Sequence, residues 1–147
     1  MPILKTENLS KTYGSGATAV TALNRVSLSI EPAEFVAIMG PSGCGKSTLL
    51  HLLGGLDKPG EGRIWLDGAD LSTLNDTALT TTRRQKIGFV FQFFNLIPVL
   101  TAHENVALPL ALNGAKDAQR RAHDWLGRVG LAERMNNRDG SGVRSRK

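Results

Sequence analysis

The segment that most constrains this chain is a glycine-rich stretch at residues 40–48, which reads GPSGCGKST. An apolar run at 35–39 precedes it, and leucines at helical spacing follow it. This order predicts a buried strand, a glycine turn and a helix, which is the context that a phosphate-binding loop requires. Glycines let the backbone come close to an anion, and the first amides of the following helix point towards it. A glycine turn that ends in Lys-Ser by coincidence is the alternative, and the flanking pattern disfavours it.

Several residues of this loop have a predicted role. Gly43 and Gly45 allow the backbone to wrap around phosphate groups. Lys46 reaches the outer phosphates as a point charge, and the Ser47 hydroxyl is suited to ligating Mg²⁺. Cys44 is interpreted as a small packing residue rather than a reactive thiol. The candidate nucleotide-binding residues of the loop are Gly40, Ser42, Gly43, Cys44, Gly45, Lys46, Ser47 and Thr48. The motif alone leaves the chemistry open, since kinases, GTPases and motor ATPases share it.

The composition is typical of one globular domain, with 147 residues of which 41% are hydrophobic. The net charge of +5 is concentrated in the last twelve residues, so the nearly neutral body disfavours a nucleic-acid binder. Cys44 is the only cysteine, which excludes an intramolecular disulfide and favours the cytosol. No apolar run approaches the roughly 20 residues of a membrane span, and residues 1–14 do not resemble an export signal.

The remaining pattern predicts an α/β body followed by a small helical lobe. Predicted strands cover 3–9 at a sheet edge, 26–30, the buried runs 35–39 and 87–91, and 63–66 before a tight turn. Predicted helices cover 46–53, 104–112 and 116–129. The predicted domains are a nucleotide-binding α/β body at 1–92, a partial helical subdomain at 93–135 and a disordered basic tail at 136–147.

Five spaced motifs carry a resemblance to a known family. They are Tyr13, GPSGCGKST at 40–48, GGLDKPGEGRIWLDG at 54–68, GFVFQFFNLIPVLTAHENVALPL at 88–110 and VGLAER at 129–134. Together they resemble the ATP-binding subunits of ABC transporters, and most of all the branch that energises lipoprotein release and macrolide export. The resemblance covers residues 1 to about 135. It implies the α/β fold of a P-loop NTPase, with a parallel sheet core, an antiparallel N-terminal portion and the start of a helical subdomain.

The resemblance also implies roles for residues outside the loop. Tyr13 matches the aromatic residue that stacks on adenine. Gln92 matches a position whose side chain joins the Mg²⁺ shell and helps to place water, so Lys46 and Gln92 are the implied catalytic residues and Ser47 and Gln92 the implied metal ligands. Residues 93–104 resemble the face that contacts a transmembrane partner, although the apolar side chains there are equally compatible with a packed core. These apolar residues are Phe93, Phe94, Leu96 and Ile97.

The implied cofactors are ATP and Mg²⁺. The implied partners are transmembrane transporter subunits and a second ATP-binding subunit, with which the chain would close over two ATP molecules; no nucleic acid is expected. The implied location is cytoplasmic, peripheral on the inner cell membrane through the transmembrane partner.

Parts of the family pattern are absent from this sequence. It contains no LSGGQ-like signature, no second apolar strand ending in Asp-Glu and no later switch histidine, since His51, His103 and His123 lie at other positions. From residue 136 the sequence reads NNRDGSGVRSRK, which suggests a chain truncated before the signature by a shifted reading frame or a prematurely ended gene. Two hypotheses remain open: an ATP-hydrolysing transporter subunit, and a module that binds nucleotide without turnover. A soluble kinase or a nucleic-acid ABC protein is disfavoured by Gln92 with its following segment and by the weak positive charge.

Overall fold

Two long antiparallel strands, β1 (Leu4–Tyr13) and β2 (Val20–Ile30), begin the computed structural model, which describes residues 1–138. β1 also pairs with β3 (Glu61–Leu66), which turns back into β4 (Ala69–Asp70). The sheet order is β2-β1-β3-β4, and every pairing is antiparallel. The prediction that the first strand lies at an edge was wrong. β1 is central, because both of its backbone edges find a partner strand.

Two helices pack on this sheet within the first compact unit, which ends at Ile87. They are α1 (Lys46–Leu53) and α2 (Asp76–Lys86), and a short 3₁₀ turn at Leu71–Thr73 joins β4 to α2. The apolar core formed between the helices and the sheet consists of Leu9, Leu23, Leu49, Leu52, Leu53, Ile64, Leu66, Leu71 and Leu79. α1 and the strand 63–66 confirm the sequence predictions. α2 was not predicted, because its threonines and charged residues show no clear apolar stripe, although Asn75 caps it by accepting a hydrogen bond from the Ala78 amide at 2.9 Å.

The two predicted buried strands at 35–39 and 87–91 were wrong. Among the described residues neither run belongs to a sheet, and Phe35, Met39 and Val90 are 95%, 88% and 101% exposed. The described residues therefore contain the antiparallel part of the predicted fold and no parallel core. An apolar run favours burial, but it becomes a strand only where a neighbouring backbone satisfies its amides and carbonyls.

The second unit begins at Gly88 and contains α3 (Ala102–Leu112) and α4 (Ala118–Arg128), which confirm the two predicted helices. The two helices pack against each other over Ala107, Ala118, Ala122 and Leu126. The His103 amide donates to the Met135 carbonyl at 2.9 Å, and the Ala102 amide donates to Asn137 at 2.8 Å. Residues 139–147, most of the predicted disordered tail, lie outside the described residues. The predicted domain boundaries at 92/93 and 135/136 stay predictions.

Candidate phosphate-binding site

The glycine-rich loop ends at Gly45, which lies directly against β2. Gly45 adopts a left-handed conformation with φ of 91°, and a Cβ atom built on it would lie 2.3 Å from the Ala22 carbonyl oxygen. Any side chain at this position would collide with the backbone of β2, so only glycine fits. This contact fixes where the loop stops and where the helix begins.

The start of α1, directly after the loop, is the part of the site that attracts an anion. The helix begins at Lys46, and no side chain caps its first turn. The first amides of a helix have no partner within the helix, and they carry the positive end of its dipole. Leu49, Leu52 and Leu53 bury the other side of α1 in the core, which holds this end of the helix in place.

The Lys46 side chain bends back over the loop that precedes it. Its Nζ donates to the Gly40 carbonyl at 2.9 Å and to the Pro41 carbonyl at 2.6 Å, and it lies 3.6 Å from the Cys44 sulfur. These weakly basic carbonyl groups hold the ammonium beside the start of α1. The positive charge is therefore concentrated where phosphate oxygens would meet the helical amides.

The other loop residues are accessible. Ser42, Gly43, Cys44 and Ser47 are exposed, and a Cβ on Gly43 would meet no atom within 4 Å. Among residues 1–138 no group of three or more His, Cys, Asp or Glu side chains is arranged to hold a metal. Mg²⁺ needs few protein ligands when phosphates supply the rest, and the Ser47 hydroxyl is a hard oxygen donor. The donor set thus fits an Mg²⁺ ion that arrives with a nucleotide.

Tyr13 belongs to the same unit as the loop. It ends β1 opposite Val20, which lies two residues before Ala22, the residue of β2 that contacts Gly45. The residue is 42% exposed. Gln92 is exposed and belongs to the second unit.

Two residues that the sequence did not single out, Asp57 and Lys11, contact the Tyr13 side chain. The Tyr13 hydroxyl donates to Asp57 Oδ2 at 3.0 Å, and Lys11 Nζ donates to Asp57 Oδ1 at 2.7 Å. Lys11 also lies 5.1 Å from the centre of the Tyr13 ring, in cation–π range. The hydrogen bond from Lys11, helped by the Lys58 amide and the Tyr13 hydroxyl, lowers the pKa of Asp57 below its ordinary value. The only sequence signal for Asp57 was its position two residues after the Gly54-Gly55 pair, and an Asp near glycines by itself indicates only a turn.

The apolar segment after Gln92 is exposed within its own unit. Phe93 and Phe94 are 76% and 86% exposed, so among the described residues neither packs in an apolar core, and the contact with a partner stays a prediction. Asn105 holds the following turn: its side chain accepts from the Ile97 amide at 2.8 Å and donates to the carbonyls of Leu100 and Thr101, at 3.2 and 3.0 Å. No local sequence pattern indicated this role of Asn105.

A family model described as ABC transporter matches residues 23–144. The chain belongs to this family. Among curated relatives, this ABC transporter chain is 45% identical to the lipoprotein-releasing system ATP-binding protein LolD of Coxiella burnetii, covering 95% of this chain and 61% of that protein. It is 48% identical to the macrolide export ATP-binding/permease protein MacB of Brucella abortus, covering 93% of this chain and 22% of that protein.

A solved structure gives the same family assignment. The ATP-binding cassette MJ0796, solved as a dimer in a post-hydrolysis state bound to ADP and Pi, is 48% identical and superposes with a TM-score of 0.82, covering 92% of this chain and 60% of that one. This ABC transporter chain therefore spans about three fifths of the length of LolD and of the MJ0796 cassette. Within residues 1–138, none of the helices has the length and apolar character needed to cross a bilayer.

Proposed function

We propose that this chain binds Mg-ATP on the loop 40–48 and is the nucleotide-binding part of an ATP-binding subunit that powers a membrane transporter. The observation that carries the proposal is the position of Lys46. Its ammonium lies over the loop carbonyls of Gly40 and Pro41, at the uncapped start of a helix whose position is fixed by Gly45 against Ala22. This arrangement of one cation and several amides is suited to a group with several negative oxygens.

Each residue of the site has a separate task in this proposal. The amides of the first turn of α1 hold phosphate oxygens, and Lys46 leaves its carbonyl partners to neutralise the outer phosphates. Ser47 donates its hydroxyl oxygen to Mg²⁺, which supplies further charge neutralisation when it is bound. Tyr13 offers its ring to the adenine, an interaction that requires only a flat apolar face.

The proposed role of Gln92 is to join the Mg²⁺ shell and to place water. Exposed Phe93 and Phe94 support a docking face at 93–104 for a transmembrane subunit, which would keep the chain at the cytoplasmic side of the membrane. A second ATP-binding subunit is the other proposed partner, since the MJ0796 cassette was solved as a dimer. The transported cargo is proposed only by class, as lipoprotein or macrolide, after the names of LolD and MacB.

A second candidate function is nucleotide binding without turnover by these 147 residues alone. It is favoured by the partners of Lys46, which among residues 1–138 are two carbonyls and a thiol and include no carboxylate. Phosphoryl transfer depends on positioning and charge placement, and the loss of one preorganised group costs about 10²-fold or more. Binding is therefore expected to survive without hydrolysis.

Calorimetric titration of the full chain with ATP, with and without Mg²⁺, tests the proposal. Wild-type chain and a Lys116→Ala control should bind in a Mg²⁺-dependent manner, because Lys116 is an exposed lysine of the other unit. Lys46→Ala should weaken binding by at least about tenfold, the effect of losing roughly 1.4 kcal/mol. Absence of Mg²⁺-dependent binding by the wild-type chain would disprove the proposal. Phosphate release no faster than that of Lys46→Ala would favour binding without turnover.

A further inference from the structure

The aromatic ring of Tyr13 is held by a group of side chains drawn from two separate parts of the first unit. Lys11 and Tyr13 are two residues apart on β1, and in a strand such residues project to the same face. Asp57 lies in the segment that leaves α1 and leads into β3. A tyrosine at the end of a strand is thereby tied to the helix that begins at the phosphate-binding loop.

The hydrogen bonds of this group satisfy both oxygens of one carboxylate. Asp57 Oδ2 accepts from the Tyr13 hydroxyl at 3.0 Å, while Oδ1 accepts from Lys11 Nζ at 2.7 Å and from the Lys58 amide at 2.7 Å. Lys11 makes a further bond to the Lys58 carbonyl at 2.7 Å, and its side chain is only 14% exposed. The carboxylate is therefore fixed by backbone and side chain together before it meets Tyr13.

Lys11 lies over one face of the Tyr13 ring and leaves the other face without this contact. Its ammonium lies 5.1 Å from the ring centre, where it covers part of the ring. The residue as a whole is still 42% exposed, so the rest of the ring is open. An aromatic ring held at its hydroxyl and covered on one side has few orientations left, and a flat ligand that stacks on the open part loses less freedom on binding.

We propose that Asp57 and Lys11 are positioning residues that hold the Tyr13 ring ready to receive the base of a nucleotide whose phosphates occupy the loop 40–48. This inference rests on the proposed function, since the ligand is the same. In this proposal Asp57 affects only the binding of the base, through the orientation of the Tyr13 ring. The phosphate-binding groups lie on the loop 40–48 and at the start of α1, whereas Asp57 lies beyond the end of α1, so we expect their geometry to be unchanged when Asp57 is changed.

The test compares Mg-ATP with Mg²⁺-bound inorganic triphosphate, which lacks the base. On the full chain, Asp57→Ala should weaken ATP binding by roughly three- to tenfold, the equivalent of one hydrogen bond. It should leave triphosphate affinity within about twofold of wild type. Asp57→Asn, which retains an acceptor for the Tyr13 hydroxyl, should recover part of the loss. Glu133→Ala is the matched control, because Glu133 is an exposed carboxylate of the second unit, whereas Lys11, Tyr13 and Asp57 belong to the first.

A double-mutant cycle tests whether Asp57 acts through the tyrosine. In a Tyr13→Ala background, adding Asp57→Ala should change ATP affinity by less than about twofold. An equal loss of ATP and triphosphate affinity in Asp57→Ala, or a full additional loss in the double variant, would overturn the inference.

Two further outcomes distinguish this inference from the proposed function. A wild-type chain that binds triphosphate as tightly as ATP would overturn the role of Asp57, but it would still support phosphate binding by the loop 40–48. A wild-type chain that binds neither ligand would overturn both. If Asp57→Ala does not fold, Tyr13→Phe removes the same hydrogen bond and keeps the ring, and the same selective loss of ATP affinity is expected.

Discussion

The α-carbon of Gly45 faces the carbonyl oxygen of Ala22 so closely that a Cβ atom would lie 2.3 Å from that oxygen. Gly45 is the last residue before α1, and Ala22 belongs to β2. The glycine of a phosphate-binding motif is therefore also a packing residue, because it lets the helix begin against the sheet. This contact connects the loop with the strand that pairs with Tyr13.

Gly45→Ala is expected to destabilise the chain more than a glycine substitution that costs only backbone strain. A left-handed alanine costs about 1–2 kcal/mol, and relieving the clash with Ala22 adds about 1–3 kcal/mol. Gly68→Ala is the matched control, because Gly68 has a similar φ of 79° but a Cβ there would meet no atom within 4 Å. Urea denaturation of both variants measures the difference, and equal losses would contradict the contact.

Lys46→Ala is expected to loosen the loop in the nucleotide-free protein. The substitution removes the bonds to the Gly40 and Pro41 carbonyls, while the free energy of unfolding should change by less than about 1 kcal/mol because the loop is exposed. Hydrogen exchange of the amides at 42–45 measures the effect, with Lys116→Ala as control. Exchange as slow as in the wild type would show that Lys46 does not hold the loop.

The stability contributed by Asp57 is expected to depend on pH. Its folded pKa is lowered, chiefly by the hydrogen bond from Lys11, so the unfolded state binds more protons near the unfolded pKa of about 3.9. The stabilisation is fully present above that pH and is lost as the pH falls through the folded pKa. Urea midpoints of wild type and Asp57→Asn should therefore differ at neutral pH and converge in acid. A constant difference, or the same convergence in a Glu133→Gln control, would count against it.

Thr101→Ala is expected to destabilise α3. The Thr101 hydroxyl accepts from the Glu104 amide at 3.2 Å, and Glu104 Oε2 accepts from the Thr101 amide at 2.7 Å, which together form a capping box. Loss of the hydroxyl should cost about 1 kcal/mol. Urea denaturation and amide exchange in α3 measure the loss, and Thr101→Ser should retain most of the stability. An unchanged exchange rate in the alanine variant would show that the cap does not stabilise the helix.

Local chemistry made part of the fold predictable. The helix after the loop could be predicted because the leucines at 49, 50, 52 and 53 follow a glycine, and a glycine pair follows them. The turn at Asp67 and Gly68 was predictable in the same way, because Asp and Gly tolerate positive φ, and both residues adopt it in the structure. α2 was missed because its start signal, Asn75, was not supported by an apolar stripe.

In the candidate site, too, some residues were predictable from the local sequence and others were not. The residues of the loop were predictable because the motif is contiguous and each position has a conformational or charge requirement. Asp57 was not predictable, because its partners Lys11 and Tyr13 lie more than 40 residues earlier in the chain. Only strand pairing and the end of α1 bring them within hydrogen-bonding distance.

The loop at 40–48, the helix that follows it and the apolar character of the runs could be predicted from the sequence, because glycine spacing, helical periodicity and side-chain polarity are local properties. Three features became visible only in the folded chain: β1 lies in the centre of the sheet, the runs at 35–39 and 87–91 are unpaired among the described residues, and Asp57 holds Tyr13. These outcomes depend on which backbone edge or side chain is near in space. Hydrogen bonds act over about 3 Å, whereas the residues that make them here are separated by tens of positions.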